Sequence, residues 1–196
     1  MKQFTPHYKA ALFLLLLSTS LVSCDMGYAP GSKMPATTPQ QKVERGKYLV
    51  NTMGCDDCHS PKKMGPTGPE LDVEHRLSGY PASRPIASDT DAVRKGWVLF
   101  NGDLTQAVGP WGTSFAANLT PDISGIGNWS EAQFINALRK GKLKGLDNSR
   151  PLLPPMPWQN FSKLTDEDMS SIYAFLQSIK PVDNVVPAPI PPGGVQ

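Results

Sequence analysis

Two cysteines and a histidine stand together in the stretch CDDCH at residues 55–59. Thiols and an imidazole at this spacing can form a redox-active dithiol, contribute to a zinc site, or attach a c-type haem. A redox dithiol is expected to follow a strand and open a helix, whereas this pair follows a predicted helix and enters a loop. A structural zinc site requires four ligands, and His75 lies far outside zinc-finger spacing.

Haem attachment uses both cysteines and the histidine of this motif. Cys55 and Cys58 would add across the two vinyl groups of the porphyrin, and His59 would supply the proximal nitrogen to the iron. Covalent attachment suits an exported protein, which cannot draw on a cytoplasmic haem pool. Since the motif occurs once, the sequence predicts one covalently attached haem c.

The N-terminus has the layout of a secretory signal. Two lysines precede an apolar run at 10–17, which is shorter than the roughly 20 residues of a membrane-spanning helix. The sequence LVSC at 21–24 resembles the lipobox of bacterial lipoproteins, in which the signal is cut before a cysteine that then carries lipid. We therefore expect a signal peptide at 1–23 and a lipidated Cys24. The alternatives are an uncleaved N-terminal anchor and a plain signal with an incidental cysteine.

Composition and charge exclude one class of partner. The formal net charge is +2, and without the two lysines of the predicted signal the acidic and basic residues are equal in number. Neither a nucleic-acid motif nor a basic stripe accompanies this balance, so no nucleic-acid partner is expected. The oligomeric state is left open by the sequence.

The chain is long enough for one domain with an ordinary core. Proline and glycine are frequent at 24–41 and again at 183–196, and neither stretch has a periodic apolar face. Such segments cannot bury enough surface to offset the entropy lost on ordering. We therefore expect a flexible lipid-anchored linker at 24–41, a folded domain at 42–182, and a Pro-rich C-terminal tail at 183–196.

Three helices are predicted inside the domain. The first is amphipathic and ends at Gly54, and its Gly46 is a weak point unless another element packs closely there. The second opens with a capping box, and the third has acidic residues in its first turn, where the helix dipole favours them. These helices are expected at 41–53, from Ser130 to Gly141, and from Thr165 to Pro181.

The order of the motifs resembles that of class I cytochromes c. In four-helix-bundle cytochromes the haem motif lies near the C-terminus, whereas here it lies at the start of the domain. The chain resembles bacterial, membrane-attached monohaem cytochromes c, and related domains occur in cytochrome subunits of periplasmic dehydrogenases. The resemblance implies a mainly α fold with crossing N- and C-terminal helices, and single-electron transfer in the cell envelope. It is carried by GKYLV at 46–50, CDDCH at 55–59, and the stretches 117–142, 153–158 and 164–182.

One long interval departs from this pattern. The chain between His59 and Met156 is longer than a compact class I domain needs, and 70–116 is expected to be a loop-rich insertion. A short hairpin is predicted where WVLF, at 97–100, meets Asn101-Gly102. Three roles are open for the insertion: it covers the haem edge, forms a docking face, or decorates the fold.

The second axial ligand of the iron is predicted to be Met156. It lies in Pro154-Pro155-Met156-Pro157, before the last helix, and the flanking prolines restrict the backbone so that a stiff loop can hold a weak thioether. His75 is the alternative and would give a bis-histidine haem. Of the other methionines, Met53 and Met169 fit helix faces, where core packing is the usual role, and Met64 follows His59 too closely.

Two predictions concern the surroundings of the motif. His59 is expected to donate its second ring N–H to a backbone carbonyl, with Pro66 or Pro69 as the source. Asp56 and Asp57 are expected to form a solvated face.

Three aromatic residues complete the predicted haem pocket. Trp111 and Trp158 are expected at the haem edge or bonded to a propionate, with plain core packing as the alternative. Tyr48 is expected to pack against the haem from the first helix.

These ligands predict a carrier of electrons. With histidine and methionine both bound, the iron has no open position for a substrate, so no catalytic residue is assigned. The expected partners are a dehydrogenase or quinol oxidoreductase as donor, and a terminal oxidase or another cytochrome as acceptor. A lipid anchor would confine the protein to the membrane in the bacterial cell envelope, with the haem domain outside the cytoplasm. The alternative is a catalytic or gas-sensing haem with a labile distal ligand.

Overall fold

A computed structural model describes residues 37–87 and 90–193 of the chain. The predicted signal peptide, Cys24 and most of the predicted linker lie outside the described residues. Within these ranges, none of the helices combines the length and the apolar character needed to cross a membrane.

Six α-helices and five short strands make up the described chain, together with 3-10 helices at Val73–His75 and Leu143–Gly145. The helices are α1 (Pro39–Thr52), α2 (Cys55–His59), α3 (Thr90–Arg94), α4 (Glu131–Lys140), α5 (Trp158–Phe161) and α6 (Asp166–Ser178). The strands are β1 (Lys62–Gly65), β2 (Gly68–Leu71), β3 (Leu99–Phe100), β4 (Gln106–Gly109) and β5 (Gly112–Phe115).

The first and last helices pack directly against each other. Gly46 of α1 lies so close to α6 that a Cβ atom there would overlap the backbone carbonyl of Ser171. This close approach explains a glycine in the middle of a helix, because the packing offsets its low helix propensity. Beside the contact, Arg45 forms an ion pair of 2.9 Å with Asp168.

The hydrophobic core is built on these two helices and α4. α4 begins with the predicted capping box of Ser130 and Gln133, and it ends at Gly141 in the left-handed region at φ 62°, so both signals are confirmed. The Thr165 cap of α6 is confirmed as well. The buried members of the core are Leu49, Val50, Leu77, Ile126, Phe134, Leu138, Met169, Ile172, Phe175 and Leu176.

The interval predicted to be loop-rich contains more regular structure than expected. β3, β4 and β5 form an antiparallel sheet in that order, and Tyr80 packs on Phe115 with ring centroids 4.8 Å apart. The predicted hairpin exists, but its turn is wider than Asn101-Gly102. The Asn101 side chain accepts a hydrogen bond from the Gln106 backbone N–H at 3.0 Å, and this bond closes a longer loop.

A second hairpin was not predicted. β1 and β2 pair antiparallel from Lys62↔Leu71 to Gly65↔Gly68, so Pro66 and Thr67 form its turn. The strands are short and mostly exposed, and they therefore lack the alternation of apolar and polar residues that signals a half-buried strand.

The segment after α6 is folded onto the domain as far as Ile190. Ile190 and Thr113 exchange two backbone hydrogen bonds, of 2.8 and 3.0 Å, across the free edge of β5. Gly112 allows this approach: a side chain there would overlap the Ile190 carbonyl. The ordered structure thus continues past the boundary expected at 182, because backbone pairing replaces the missing apolar face.

Candidate haem-binding site

The two cysteines lie on α2, one turn of helix. Gly54, in the left-handed region at φ 72°, lets the chain turn from α1 into this helix. Cys55 and Cys58 are both free and half-buried, and Cys55 packs against the hydrophobic core. The motif therefore presents two unpaired thiols and His59 from a single short helix.

The electrostatic setting of the thiols argues against a redox dithiol. Burial raises the pKa of Cys55 to about 11, and the negative charge of Asp56 adds to the effect. Burial also raises the pKa of Cys58. Reactive cysteines need the thiolate and lie where the pKa is lowered, so the raised pKa of both thiols argues against an exchange pair.

His59 is held through its ring by a distant part of the backbone. Its Nδ1 lies 2.8 Å from the carbonyl oxygen of Ala117. A carbonyl can only accept, so Nδ1 carries the proton and Nε2 keeps the lone pair that a metal requires. Burial lowers the pKa of the ring, which favours this neutral form. The prediction that Pro66 or Pro69 supplies the carbonyl was wrong, because these prolines lie in the β1–β2 hairpin.

The main chain of His59 is held as well. The Gly79 N–H donates to the His59 carbonyl at 2.8 Å, and the Tyr80 N–H donates to the Ala116 carbonyl at 3.0 Å. Gly79 has φ 79°, and a Cβ atom there would overlap the carbonyls of Ala116 and Ala117. The segment around Gly79 therefore bonds the main chain of His59 and also packs against the Ala117 carbonyl that orients its ring.

One of the two aspartates in the motif is not a solvated residue, contrary to prediction. Arg76 donates to both carboxylate oxygens of Asp56, at 2.9 and 2.7 Å, and Ser60 donates at 2.7 Å. Partial burial raises the pKa of Asp56, but these hydrogen bonds outweigh it and the net pKa is lowered. Asp57 is exposed, as expected.

Lys62 closes the C-terminal end of the motif helix. Its Nζ donates to the Asp56 carbonyl at 3.1 Å and to the Asp103 carbonyl at 2.9 Å, and it also bonds the Asp57 carbonyl. A cation at the end of a helix satisfies carbonyls that lack an intrahelical partner. Lys62 thus joins the haem motif to the loop before β4.

The predicted distal ligand borders the same core as Cys55. Met156 is half-buried and packs, like Cys55, against the hydrophobic cluster between the helices. Ser114 of β5 donates to the Pro154 carbonyl at 2.6 Å, and Trp111 donates its indole N–H to Ser114 at 3.1 Å. The sheet of β3, β4 and β5 thereby supports the loop at 154–157 that contains Met156, which we call the methionine loop.

The indole N–H of Trp111 is thus engaged by Ser114, and its place at the haem edge stays a prediction. Its ring packs over Gly109, where a Cβ atom would overlap it. Trp158 begins α5 directly after the methionine loop and packs over Gly141 in the same way. Tyr48 is 57% exposed, and the Arg45 guanidinium lies 5.6 Å from its ring centroid.

The other candidate ligands have different surroundings. His75 is exposed on a 3-10 helix, with its Nδ1 2.8 Å from an Asp72 carboxylate oxygen. Met64 is 81% exposed, whereas Met169 is fully buried in the core. Met53 is the C-terminal cap of α1 and packs against that core. In the described part of the chain, no group of three or more His, Cys, Asp or Glu residues could hold a metal ion.

The residues present fit a haem c. Two unpaired thiols stand one turn apart, and the adjacent histidine, whose pKa is lowered by burial, has Nε2 as its lone-pair nitrogen in the neutral form. A thioether borders the same hydrophobic core. Covalent attachment, a nitrogen ligand and a sulfur ligand are what this cofactor requires from its protein.

Residues 43–180 match the family model for cytochrome c, so the chain belongs to the cytochrome c family. This confirms the resemblance predicted from the sequence. Membership of this family implies covalently bound haem c and a role in electron transfer.

Several relatives are named as cytochrome subunits of dehydrogenases. The cytochrome c subunit of an alcohol dehydrogenase (quinone) from Gluconacetobacter polyoxogenes is 43% identical over 180 residues, which cover 89% of this chain and 28% of the relative. The fructose dehydrogenase cytochrome subunit of Gluconobacter japonicus is 28% identical over 185 residues, 93% of this chain and 30% of the relative. The gluconate 2-dehydrogenase cytochrome c subunit of Pantoea cypripedii is 32% identical over 155 residues, 76% of this chain and 27% of the relative. The chain spans less than a third of the length of each.

Several residues that shape the site were missed by sequence reasoning. Ala117 acts through its backbone carbonyl, which any residue type could provide. Gly79, Ser114 and Arg76 act through contacts with parts of the chain that are distant in sequence. The glycine at position 79 was an available sequence signal, because a glycine indicates a turn or a close approach of another segment, but it does not identify that segment.

Proposed function

We propose that this protein is a monohaem cytochrome c that carries single electrons between a dehydrogenase and a further acceptor in the bacterial cell envelope. The observation that carries the proposal is the arrangement of Cys55, Cys58 and His59 on one turn of helix, with the His59 Nδ1–H bonded to a carbonyl. When bound, the haem supplies a one-electron couple between ferric and ferrous iron.

Each residue has a defined task in this proposal. Cys55 and Cys58 form the thioethers that hold the cofactor, and His59 offers Nε2 as the proximal ligand. Met156 offers its sulfur as the distal ligand, supported by its half-buried place at the core and by the bond from Ser114 to its loop. His75 is a weaker candidate, because it is exposed and its ring is engaged by Asp72.

A coordination shell filled by histidine and methionine favours electron transfer over catalysis. Axial methionine also raises the reduction potential relative to a bis-histidine haem. Trp111, Trp158 and Tyr48 complete the proposed pocket. Trp111 acts there through packing and through Ser114, since its N–H is already bonded.

The proposed electron donor is a dehydrogenase. The relatives are named as cytochrome subunits of alcohol, fructose and gluconate dehydrogenases, and the similarity extends over most of this chain. A quinol oxidoreductase is the second candidate donor, and a terminal oxidase or another cytochrome is the acceptor. Lipid on Cys24 would tether the domain at the membrane and raise its effective concentration near such partners.

Covalent attachment of one haem is tested on protein expressed in a bacterium with a c-type cytochrome maturation system. Acid–acetone extraction should leave the haem on the protein, and the intact mass should correspond to one haem per chain. A Cys55→Ser, Cys58→Ser double variant is the control and should release its haem. A colourless wild-type protein would refute the proposal.

A high-spin ferric spectrum with rapid peroxide reactivity would instead assign a catalytic haem, and tight CO binding would indicate a gas sensor.

A further inference from the structure

The chain that follows α6 reaches back to the segments that hold His59. We define the strap as residues 182–184, which lie within the described part of the chain just after the last helix. The Val182 carbonyl accepts from the Asn118 side chain at 2.8 Å, and the Val182 N–H donates to the Thr120 hydroxyl at 3.1 Å. The strap is thereby joined to the chain immediately after Ala117.

Asn184 joins the strap to the segment around Gly79, which holds the main chain of His59. Its Nδ2 donates to the Ser78 carbonyl at 2.7 Å and to the Tyr80 carbonyl at 2.9 Å. These two carbonyls flank Gly79, whose N–H donates to His59. The Asn184 Oδ1 accepts from the Ala82 N–H at 2.9 Å. Both donors and the acceptor of this amide are therefore used in holding one turn of backbone.

The two segments joined by the strap are also bonded to each other around the proximal histidine. The Leu119 N–H donates to the Leu77 carbonyl at 2.8 Å, and the Tyr80 N–H donates to the Ala116 carbonyl at 3.0 Å. Between these bonds lie Gly79, which holds the His59 main chain, and Ala117, which accepts from its ring. A displacement of either segment would change the length of the His59–Ala117 bond.

We propose that Asn184 is a positioning residue for His59: through the Gly79 and Ala117 segments it sets the strength of the His59 Nδ1–H bond and thereby the reduction potential of the iron. The inference rests on the proposed function, since it takes His59 as the proximal ligand. The hydrogen bond to a carbonyl increases the basicity of a ligating histidine. Basicity favours the ferric state, so a weakened bond raises the potential.

The test uses the holoprotein and the variants Asn184→Ala and Asn184→Asp. Asn184→Ala removes all three hydrogen bonds, whereas Asn184→Asp keeps the shape and the acceptor and removes the two donors. The readouts are the exchange rate of the His59 Nδ1 proton, measured by proton NMR, and the reduction potential. Both variants should exchange this proton faster, on the order of tenfold for the loss of about one hydrogen bond, and Asn184→Ala, which adds no charge, should have a higher potential.

Asn148→Ala is the matched control, because Asn148 is exposed in a turn outside these segments. It should leave the exchange rate and the potential unchanged. If the Asn184 variants lose stability while proton exchange and potential stay as in the wild type, the strap is a structural element alone and the inference is overturned. A wild-type protein without covalent haem, or with an iron ligand other than His59, would refute the proposed function itself. The two failures are therefore distinguishable.

Discussion

His59 donates its ring Nδ1–H to the carbonyl oxygen of Ala117 at 2.8 Å, across 58 positions of the chain. The bond fixes the tautomer, and it joins the haem motif to a residue inside the interval that separates the motif from the methionine loop. This interval is therefore part of the site, since it supplies the acceptor for His59 and, through Ser114, a support for the loop that contains Met156.

Gly79→Ala should disturb His59 from its main-chain side. A Cβ atom would overlap the carbonyls of Ala116 and Ala117, so we expect a loss of about 1–3 kcal/mol in unfolding free energy from overpacking and strain, together with a shifted reduction potential. Denaturant unfolding and a redox titration measure the two effects. Gly96→Ala is the control: Gly96 also has a positive φ, of 92°, but nothing lies within 4 Å of the added atom. Equal effects of the two substitutions would contradict this account.

Met156→Ala should remove the weak sulfur-to-iron absorption band of the oxidised protein, lower the reduction potential and open the iron to CO. The reason is that methionine stabilises ferrous iron and occupies the distal position. Met156→His should give a bis-histidine spectrum. His75→Ala should leave the spectrum unchanged, because His75 is exposed and bonded to Asp72. If the band were lost in His75→Ala and kept in Met156→Ala, the assignment of Met156 as the distal ligand would be wrong.

Ser114→Ala should loosen the methionine loop. The Ser114 hydroxyl accepts from Trp111 and donates to the Pro154 carbonyl, so its removal should cost about 1 kcal/mol of stability and speed the replacement of Met156 by added imidazole. Stopped-flow spectroscopy follows that replacement. Ser178→Ala, which removes a hydroxyl bonded to a carbonyl at the end of α6, should not change the rate. Identical rates in wild type and Ser114→Ala would exclude a supporting role.

Asp103→Asn should make the free energy of unfolding less dependent on pH in the acid range. Burial raises the pKa of Asp103, but hydrogen bonds from Thr105 and Arg84 outweigh it and the net pKa is lowered. The stabilisation is therefore complete above the unfolded pKa of about 3.9 and is lost as the pH falls through the lower folded value. At pH 7 the variant should be about 1–3 kcal/mol less stable, and this difference should shrink between pH 5 and 2. Urea unfolding across that range measures it, with the exposed Asp183→Asn as a control that should follow the wild type.

Cys24→Ala should abolish fatty-acid labelling, through failed processing of the signal or cleavage elsewhere, and cleavage elsewhere should release the protein from the membrane fraction. Each buried CH₂ of an acyl chain contributes about 0.8 kcal/mol of membrane affinity, so several chains hold a protein firmly. Metabolic labelling with a clickable fatty acid, followed by a high-salt wash, checks both effects. A wild-type protein that carries no label and washes off with salt would rule out the lipid anchor.

The local features of this protein were determined by the sequence itself. The CDDCH motif, the capping box of Ser130 and Gln133, the Thr165 cap and the Gly141 stop each act within a few residues, so their chemistry can be identified without the fold. The family followed from the order of such motifs, and residues 43–180 match its model.

The tertiary structure decides which groups orient the CDDCH motif. Ala117 acts through a backbone carbonyl and so has no side-chain signature. β4 is buried along its whole length and lacks the alternation that would reveal it. The chain after α6 has no apolar periodicity, yet Asn184 and Ile190 attach it by hydrogen bonds to distant backbone. Backbone groups are the same in every residue, so only the folded chain decides which of them meet.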